Sequence, residues 1–312
     1  MADMMPPRSD KPRFVHARQS RIAVSYFVIP RIILLTVFAT MVQSAMDTSA
    51  KYAMLTATPA ALIFYSGLIV SCTSFAFGYA QSGFVFLHTN FKLLMSIRSL
   101  FGCLGSVFFI LGFNSLPLAD AFVIASLTPV VAAILGYLLF HERVNALTWP
   151  AMFISTIGVA IMFLDVVPEM RLGYIYIILG VLGASSSMVI TRHICKSKKQ
   201  PMAMILWLSV LMTLGACAYI IINNMTLEAQ ASEYIYIYAC LLLFGRWLTI
   251  YLVNHISVHL MAAIFNIQFV WFVIIGYIVF ADVPSDMVWL GAAILIGATT
   301  AVAMYEYRAA RV

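Results

Sequence analysis

Arg246 stands in the middle of an apolar run, between Leu241-Leu242-Leu243-Phe244 and Trp247-Leu248. No acid lies three or four residues away to pair with it along a helix. A guanidinium in hydrocarbon needs a water-filled cavity, a partner on another helix, or backbone carbonyls. Asp47 and Asp120 are the candidate partners, and Tyr251, five residues on, is expected to face a similar direction. Asp47 and Lys51 are themselves four apart, the spacing of neighbours on one helix face. Either they neutralise each other, or one faces a central cavity and exchanges its partner for substrate or a proton.

Uncharged polar groups form a second set. Ser126 and Thr128 precede Pro129, which removes a backbone donor, so Pro129 is a candidate hinge beside two hydroxyls. Asn266 and Gln268 lie in the corresponding late run, where amides either line a cavity or bridge helices at about 1 kcal/mol. Trp271, with Trp207 and Trp247, is deep enough to line a site for a planar ligand. Asp120 opens an apolar run, where a carboxylate is favoured by the helix dipole. His255 and His259 lack a third ligand nearby, so they do not read as a zinc site. Tyrosines and tryptophans near the ends of the runs fit an interfacial belt.

The elements that must position these residues are apolar runs at 31–54, 60–80, 91–112, 116–141, 146–164, 172–191, 202–222, 234–254, 258–280 and 286–306. Roughly 20 apolar residues span a hydrocarbon core as a helix. The expected fold is therefore an all-α integral membrane protein with ten transmembrane helices. Of 312 residues, 63% are hydrophobic and 10% charged, against about 25% charged in a soluble domain. That leaves almost no room for a soluble catalytic domain. The net charge of +6 does not indicate nucleic acid, because the basic residues sit between the runs and not on one face. No phosphate-binding Gly-x-x-x-x-Gly-Lys-Ser/Thr loop is present, so ATP-driven pumping is not expected. Five scattered cysteines have no metal spacing and read as packing residues. No metal, cofactor or catalytic residue is expected, and no cleavable signal peptide is evident.

Charge sets the expected orientation. Counted by alternating sides, fifteen Lys and Arg residues fall on one side, Lys92, Arg98 and Arg192 among them, and only Arg171 on the other. The basic side faces the cytoplasm. Both termini are then cytoplasmic, and residues 1–25 read as a poorly ordered basic tail.

The second half echoes the first at an offset of about 140. Gly136-Tyr137-Leu138-Leu139-Phe140 maps onto Gly276-Tyr277-Ile278-Val279-Phe280, Asn114 onto Asn254, Glu142 onto Asp282 and Trp149 onto Trp289. Five runs per half is an odd number, so the two copies, 26–165 and 166–312, must be inverted with respect to each other. Inverted repeats are a transporter signature, with the substrate site between the halves.

Asn114-Ser115-Leu116-Pro117-Leu118-Ala119-Asp120-Ala121, then Thr128-Pro129-Val130, then Phe140-His141-Glu142-Arg143-Val144 resemble the EamA type of the drug/metabolite transporter superfamily. Asp282-Val283-Pro284-Ser285-Asp286 with Gly291 and Ile294 resembles its closing motif. His141 replaces the usual Gly, and Asp282 the usual Glu. Asp47-Thr48-Ser49-Ala50-Lys51 resembles the first-helix motif of some bacterial members, and Arg192 a basic residue at the end of their sixth helix. That branch often carries an Arg in the second span, where this chain has Ser66. The resemblance implies a ten-helix secondary carrier of small metabolites, whose relatives take amino acids, nucleobases, riboflavin, S-adenosylmethionine or drugs.

The expectation is a multi-pass carrier in an inner (plasma) membrane, with a small-molecule substrate and the lipid bilayer as its partners. Its cargo is a small polar or amphipathic metabolite, such as an amino acid or a riboflavin-like or S-adenosylmethionine-like compound. Coupling to protons, simple exchange and a homodimer are left open. An intramembrane enzyme and a non-saturable channel are the alternatives.

Overall fold

The computed structural model describes residues 13–88, 91–116, 121, 124–141, 148–162, 172–197, 200–225, 233–255, 261, 264–280 and 286–309, with the backbone alone at 13–30. Among these residues the structure is all helical. The α-helices are α1 (Arg13–Ala53), α2 (Pro59–Ser82), α3 (Lys92–Ser115), α4 (Thr128–Phe140) and α5 (Thr148–Met162). They continue as α6 (Leu172–Ser197), α7 (Pro201–Ile222), α8 (Glu233–Val253), α9 (Gln268–Phe280) and α10 (Asp286–Ala309). A short 3-10 turn, Gly83–Leu87, follows α2.

Local chemistry sets the helix ends. Thr58 caps α2, its hydroxyl accepting from the Ala61 amide at 3.3 Å, and Pro59 occupies the first position, where no amide hydrogen is needed. Pro201 starts α7 in the same way. Glu233 and Asp286 place carboxylates in the first turns of α8 and α10, the favourable end of the dipole.

Six helical segments are long and apolar enough to cross a membrane: Arg31–Ala53, Pro59–Leu87, Lys92–Ser115, Leu172–Cys195, Pro201–Ile222 and Glu233–Val253. The outward face of the bundle is apolar, with Leu55, Ile222 and Ile278 each more than 70% exposed. Such a surface suits lipid and not water. Inside, hydroxyls return their protons to the carbonyl four residues back, as Thr36 does to Ile32, Ser66 to Leu62 and Ser74 to Val70. That habit makes serine and threonine cheap within an apolar helix.

Three expectations are corrected. The runs 116–141 and 258–280 are not continuous helices. A turn at Ser126–Leu127 precedes α4 and another at Asn266–Ile267 precedes α9. Pro129 therefore sits in the first turn of a helix, where its missing amide hydrogen does no harm, and not in the middle of one. Proline is not the cause of the break, because Phe269 holds the matching place in the second half and the chain breaks there too. In addition, α1 begins at Arg13, directly after Pro12, so helix extends into the segment read as a disordered tail. Residues 13–25 contain no glycine or proline to stop it.

The helices pack in a regular scheme. α3 lies on α6, and α1 on α8. α4 lies on α6, and α1 on α9. α3 meets α7, and α2 meets α8. Each pair becomes its companion when every helix is exchanged for the one five places away. The contacts α2 with α7 and α5 with α10 map onto themselves. The closest approach is between α3 and α6. A Cβ added to Gly105 would lie 2.7 Å from the Ala184 nitrogen, and one added to Gly183 would lie 2.8 Å from the Gly105 Cα. Only glycine lets two backbones come this near.

Candidate functional site

The two broken segments border the same space. At the first break the Leu127 amide donates to Ile124 and Val131 to Leu127. At the second, Ile267 donates to Ile264 and Trp271 to Ile267. Every partner in the second set lies 140 residues after its counterpart. Each break is also tied to a long helix by a serine. Ser185 of α6 donates to the Thr128 carbonyl at 3.4 Å, and Ser44 of α1 donates to the Gln268 carbonyl at 2.7 Å.

Between the breaks lies a cavity of about 280 Å³. Its wall is drawn from α1, α3, α6 and α8, with Leu208 of α7 and the chain around both breaks. The wall is paired. Apart from Leu208 and Asn266, every lining residue has a second lining residue 140 or 141 positions away. Thr128 pairs with Gln268, Phe113 with Val253 and Ile110 with Ile250.

The charges do not share this symmetry. The charged groups among the described lining residues are Asp47, Arg98 and Arg246. Their counterparts are Met188, Tyr238 and Ser106. A symmetric frame thus holds an asymmetric set of charges.

Arg246 reaches across the bundle. Its Nη1 donates to Ser209 Oγ at 3.2 Å, and its Nη2 contacts Ser106 Oγ at 3.4 Å and Met212 Sδ at 3.2 Å. These are long, weak contacts for a guanidinium, which offers five donors. Arg98 is held more firmly. Its Nε donates to Thr191 Oγ1 at 2.8 Å and its Nη1 to the Met204 carbonyl, so one side chain ties α3 to α6 and α7. Arg98 is 5% exposed. Asp47 makes no hydrogen bond among the described residues. It is not ion-paired to either arginine there.

Arg98 is the residue that sequence reasoning placed elsewhere. Six positions after Lys92, it falls by sequence among the basic residues that flank a span. It lies instead nearly two turns inside α3, buried among polar groups of α6 and α7. The only sequence signal was its place within an apolar run, the same signal that singled out Arg246.

Lys51 does not pair with Asp47. Its Nζ donates to the Phe113 carbonyl at 2.6 Å and reaches the Leu116 carbonyl at 3.5 Å, at the C-terminal end of α3. Arg192, at the corresponding end of α6, donates to the Val253 carbonyl at 3.1 Å, at the C-terminal end of α8. Cations at helix C-termini satisfy carbonyls that have no partner within the helix.

The remaining candidates divide. Thr128, Asn266 and Gln268 line the cavity, and the Asn266 amide donates to Ser155 at 3.1 Å. Ser126 is buried behind it, its carbonyl accepting from Thr156. Trp271 is turned to α1, its indole donating to Thr40 Oγ1 at 3.0 Å. Tyr251 is 39% exposed and stacks between Trp247 and His255, away from the cavity. Tyr251 is five residues from Arg246, which is well over one helical turn and swings it to another face. Asp120 and His259 lie outside the described residues, as does the side chain of Pro129.

Residues 30–164 match the model of the EamA-like transporter family, part of the drug/metabolite transporter superfamily. The match covers the first-half motifs, and the matched family is one of membrane transporters. A solved structure described only as "Crystal structure of protein" is similar at a TM-score of 0.70 and 15% identity, over 92% of this chain and 98% of that one. At that identity it speaks for the fold alone. No curated protein matches the chain.

Proposed function

We propose that this EamA-like chain is a secondary transporter that moves a small polar or amphipathic metabolite, or a drug, across an inner membrane. It works by alternating access between two inverted repeats of five helices, 26–165 and 166–312, with both termini in the cytoplasm. The observation that carries this reading is the paired cavity wall. Residues 140 or 141 apart line a single central space, the place where inverted-repeat carriers bind their cargo. The packing scheme and the two matched helix breaks support the same duplication. Removing Arg98 from the charge count leaves the Lys and Arg asymmetry, and hence the orientation, as it was.

Two symmetric halves around one site give two equivalent closed ends. Lys51 holds α1 to the C-terminal end of α3, and Arg192 holds α6 to the C-terminal end of α8. In an inverted arrangement these contacts lie at opposite membrane faces. Opening either face requires breaking one of them while the other stays closed. Among the described lining residues, Asp47 is the carboxylate available for proton coupling, and exchange of one cargo for another needs none. Amino acids and riboflavin-like or S-adenosylmethionine-like metabolites are the cargo classes to try first.

Purified protein in liposomes tests the reading by counterflow. A carrier preloaded with unlabelled solute accumulates the labelled solute transiently and saturably. Flux without saturation or counterflow would make it a channel, and chemical change of the solute would make it an enzyme.

A further inference from the structure

The charge asymmetry of the cavity defines a ligand chemistry. Within the lining, two arginines face one aspartate, so the cavity carries one net positive charge with Asp47 ionised. An uncompensated charge in an apolar bundle is costly. Arg98 spends Nε and Nη1 on Thr191 and Met204, and none of its hydrogen bonds uses Nη2. Arg246 has only long contacts to two hydroxyls and a thioether. A guanidinium is built to bind a planar carboxylate. The first turns of α4 and α9 reach the same space through Thr128 and Gln268, adding the positive ends of two helix dipoles. Phe109, Phe113, Phe265 and Leu242 supply apolar wall beyond the charged groups.

Resting on the carrier reading, we propose that Arg98 and Arg246 together bind the carboxylate of a small amphipathic monoanion. A single negative charge brings the loaded cavity to neutrality. The apolar body of the cargo lies against the phenylalanines. At about 280 Å³ the space admits a molecule at the small end of the ligand range, where pockets run from about 300 to 1,000 Å³.

Three probes of one size and different charge test this: 3-phenylpropionate, 3-phenylpropionamide and 3-phenylpropylamine. Binding to the full chain in detergent is read as a concentration-dependent rise in Tm. The carboxylate is expected to stabilise the protein, and the amide and amine to leave it unchanged. Arg246→Gln should weaken carboxylate binding at least tenfold. Arg98→Lys, which keeps the charge, should weaken it as well, because an ammonium lacks the planar fork that grips Thr191, Met204 and a carboxylate at fixed angles. Lys92→Gln, on the exposed start of α3, should bind as the parent does. Stabilisation by the amide or amine equal to that by the carboxylate overturns the proposal. So does absence of any carboxylate effect, or a full effect in Arg246→Gln. Counterflow of a cationic or neutral solute in the same preparation would then leave the carrier reading standing while this one fails.

Discussion

Ser106 Oγ and Arg246 Nη2 meet at 3.4 Å, and the two residues stand 140 positions apart, the same offset that relates the two halves of the chain. Positions that correspond in the two halves are thus in contact with each other. Under the proposed inverted-repeat arrangement, the pair lies beside the axis that relates the halves. Arg246 therefore sits in the cavity wall, where the proposed movement of one half past the other would change its surroundings.

That placement makes Arg246 and Asp47 the most sensitive sites for transport. Arg246→Ala and Asp47→Asn are each expected to lower initial uptake into vesicles at least tenfold with the amount of inserted protein unchanged. For Arg246 the loss of a charge-assisted hydrogen bond to cargo corresponds to about 1.5–3 kcal/mol, where about 1.4 kcal/mol is a factor of ten, and Asp47→Asn removes the titratable group proposed for coupling. Normal uptake in both variants would remove the central polar site.

The two cationic end contacts predict opposite conformational shifts. Lys51→Met frees the C-terminal end of α3 and should favour states open at that face. Spin labels at exposed Leu55 and Asn114 should then report a longer distance, while labels at His193 and His255 stay where they are. Arg192→Met should do the reverse. The loss of one such bond corresponds to roughly a tenfold or larger change in population. Distances unmoved in both variants would reduce Lys51 and Arg192 to simple helix caps.

The approach of α3 to α6 predicts a stability effect unrelated to cargo. Gly105→Val places side-chain atoms against the backbone of Ala184 and should destabilise the protein by about 1–3 kcal/mol, read as a lower Tm in detergent. Gly215, which has open space around its Cβ position, is the control, and Gly215→Ala should leave the Tm unchanged or slightly raised.

The serines that tie down the broken segments form a matched pair. Ser44→Ala and Ser185→Ala should each cost about 0.5–1.5 kcal/mol by losing a hydrogen bond to the Gln268 or Thr128 carbonyl. The two losses should add in the double variant, since they act on different breaks. A large effect from one alone would mean that the two breaks are not structurally equivalent.

Much of this architecture was written in hydropathy. The starts and ends of α2, α3, α7 and α8 fall within three residues of the apolar runs, because a helix crossing hydrocarbon must be apolar over a length fixed by the bilayer. The offset of 140 was visible in Gly136–Phe140 and Gly276–Phe280, and it reappears in the pairing of the cavity wall. The breaks before Thr128 and Gln268 were not visible, because the apolar run continues through them and only their partners Ser185 and Ser44 reveal where polar backbone is tolerated.

What the sequence determined by itself was a helical membrane protein whose second half echoes its first, with charges placed where hydrocarbon would reject them unless they were needed. Tertiary structure alone decided what those charges meet. Spacing along α1 offered Lys51 the acid at Asp47, but α3 brought it the Phe113 carbonyl instead. Arg98 looked like a flank residue until α6 and α7 closed over it with Thr191 and Met204. A side chain's nearest neighbours along a helix are set by a 3.6-residue period, whereas its partners across helices are set by which faces the bundle buries together, and no local spacing encodes that.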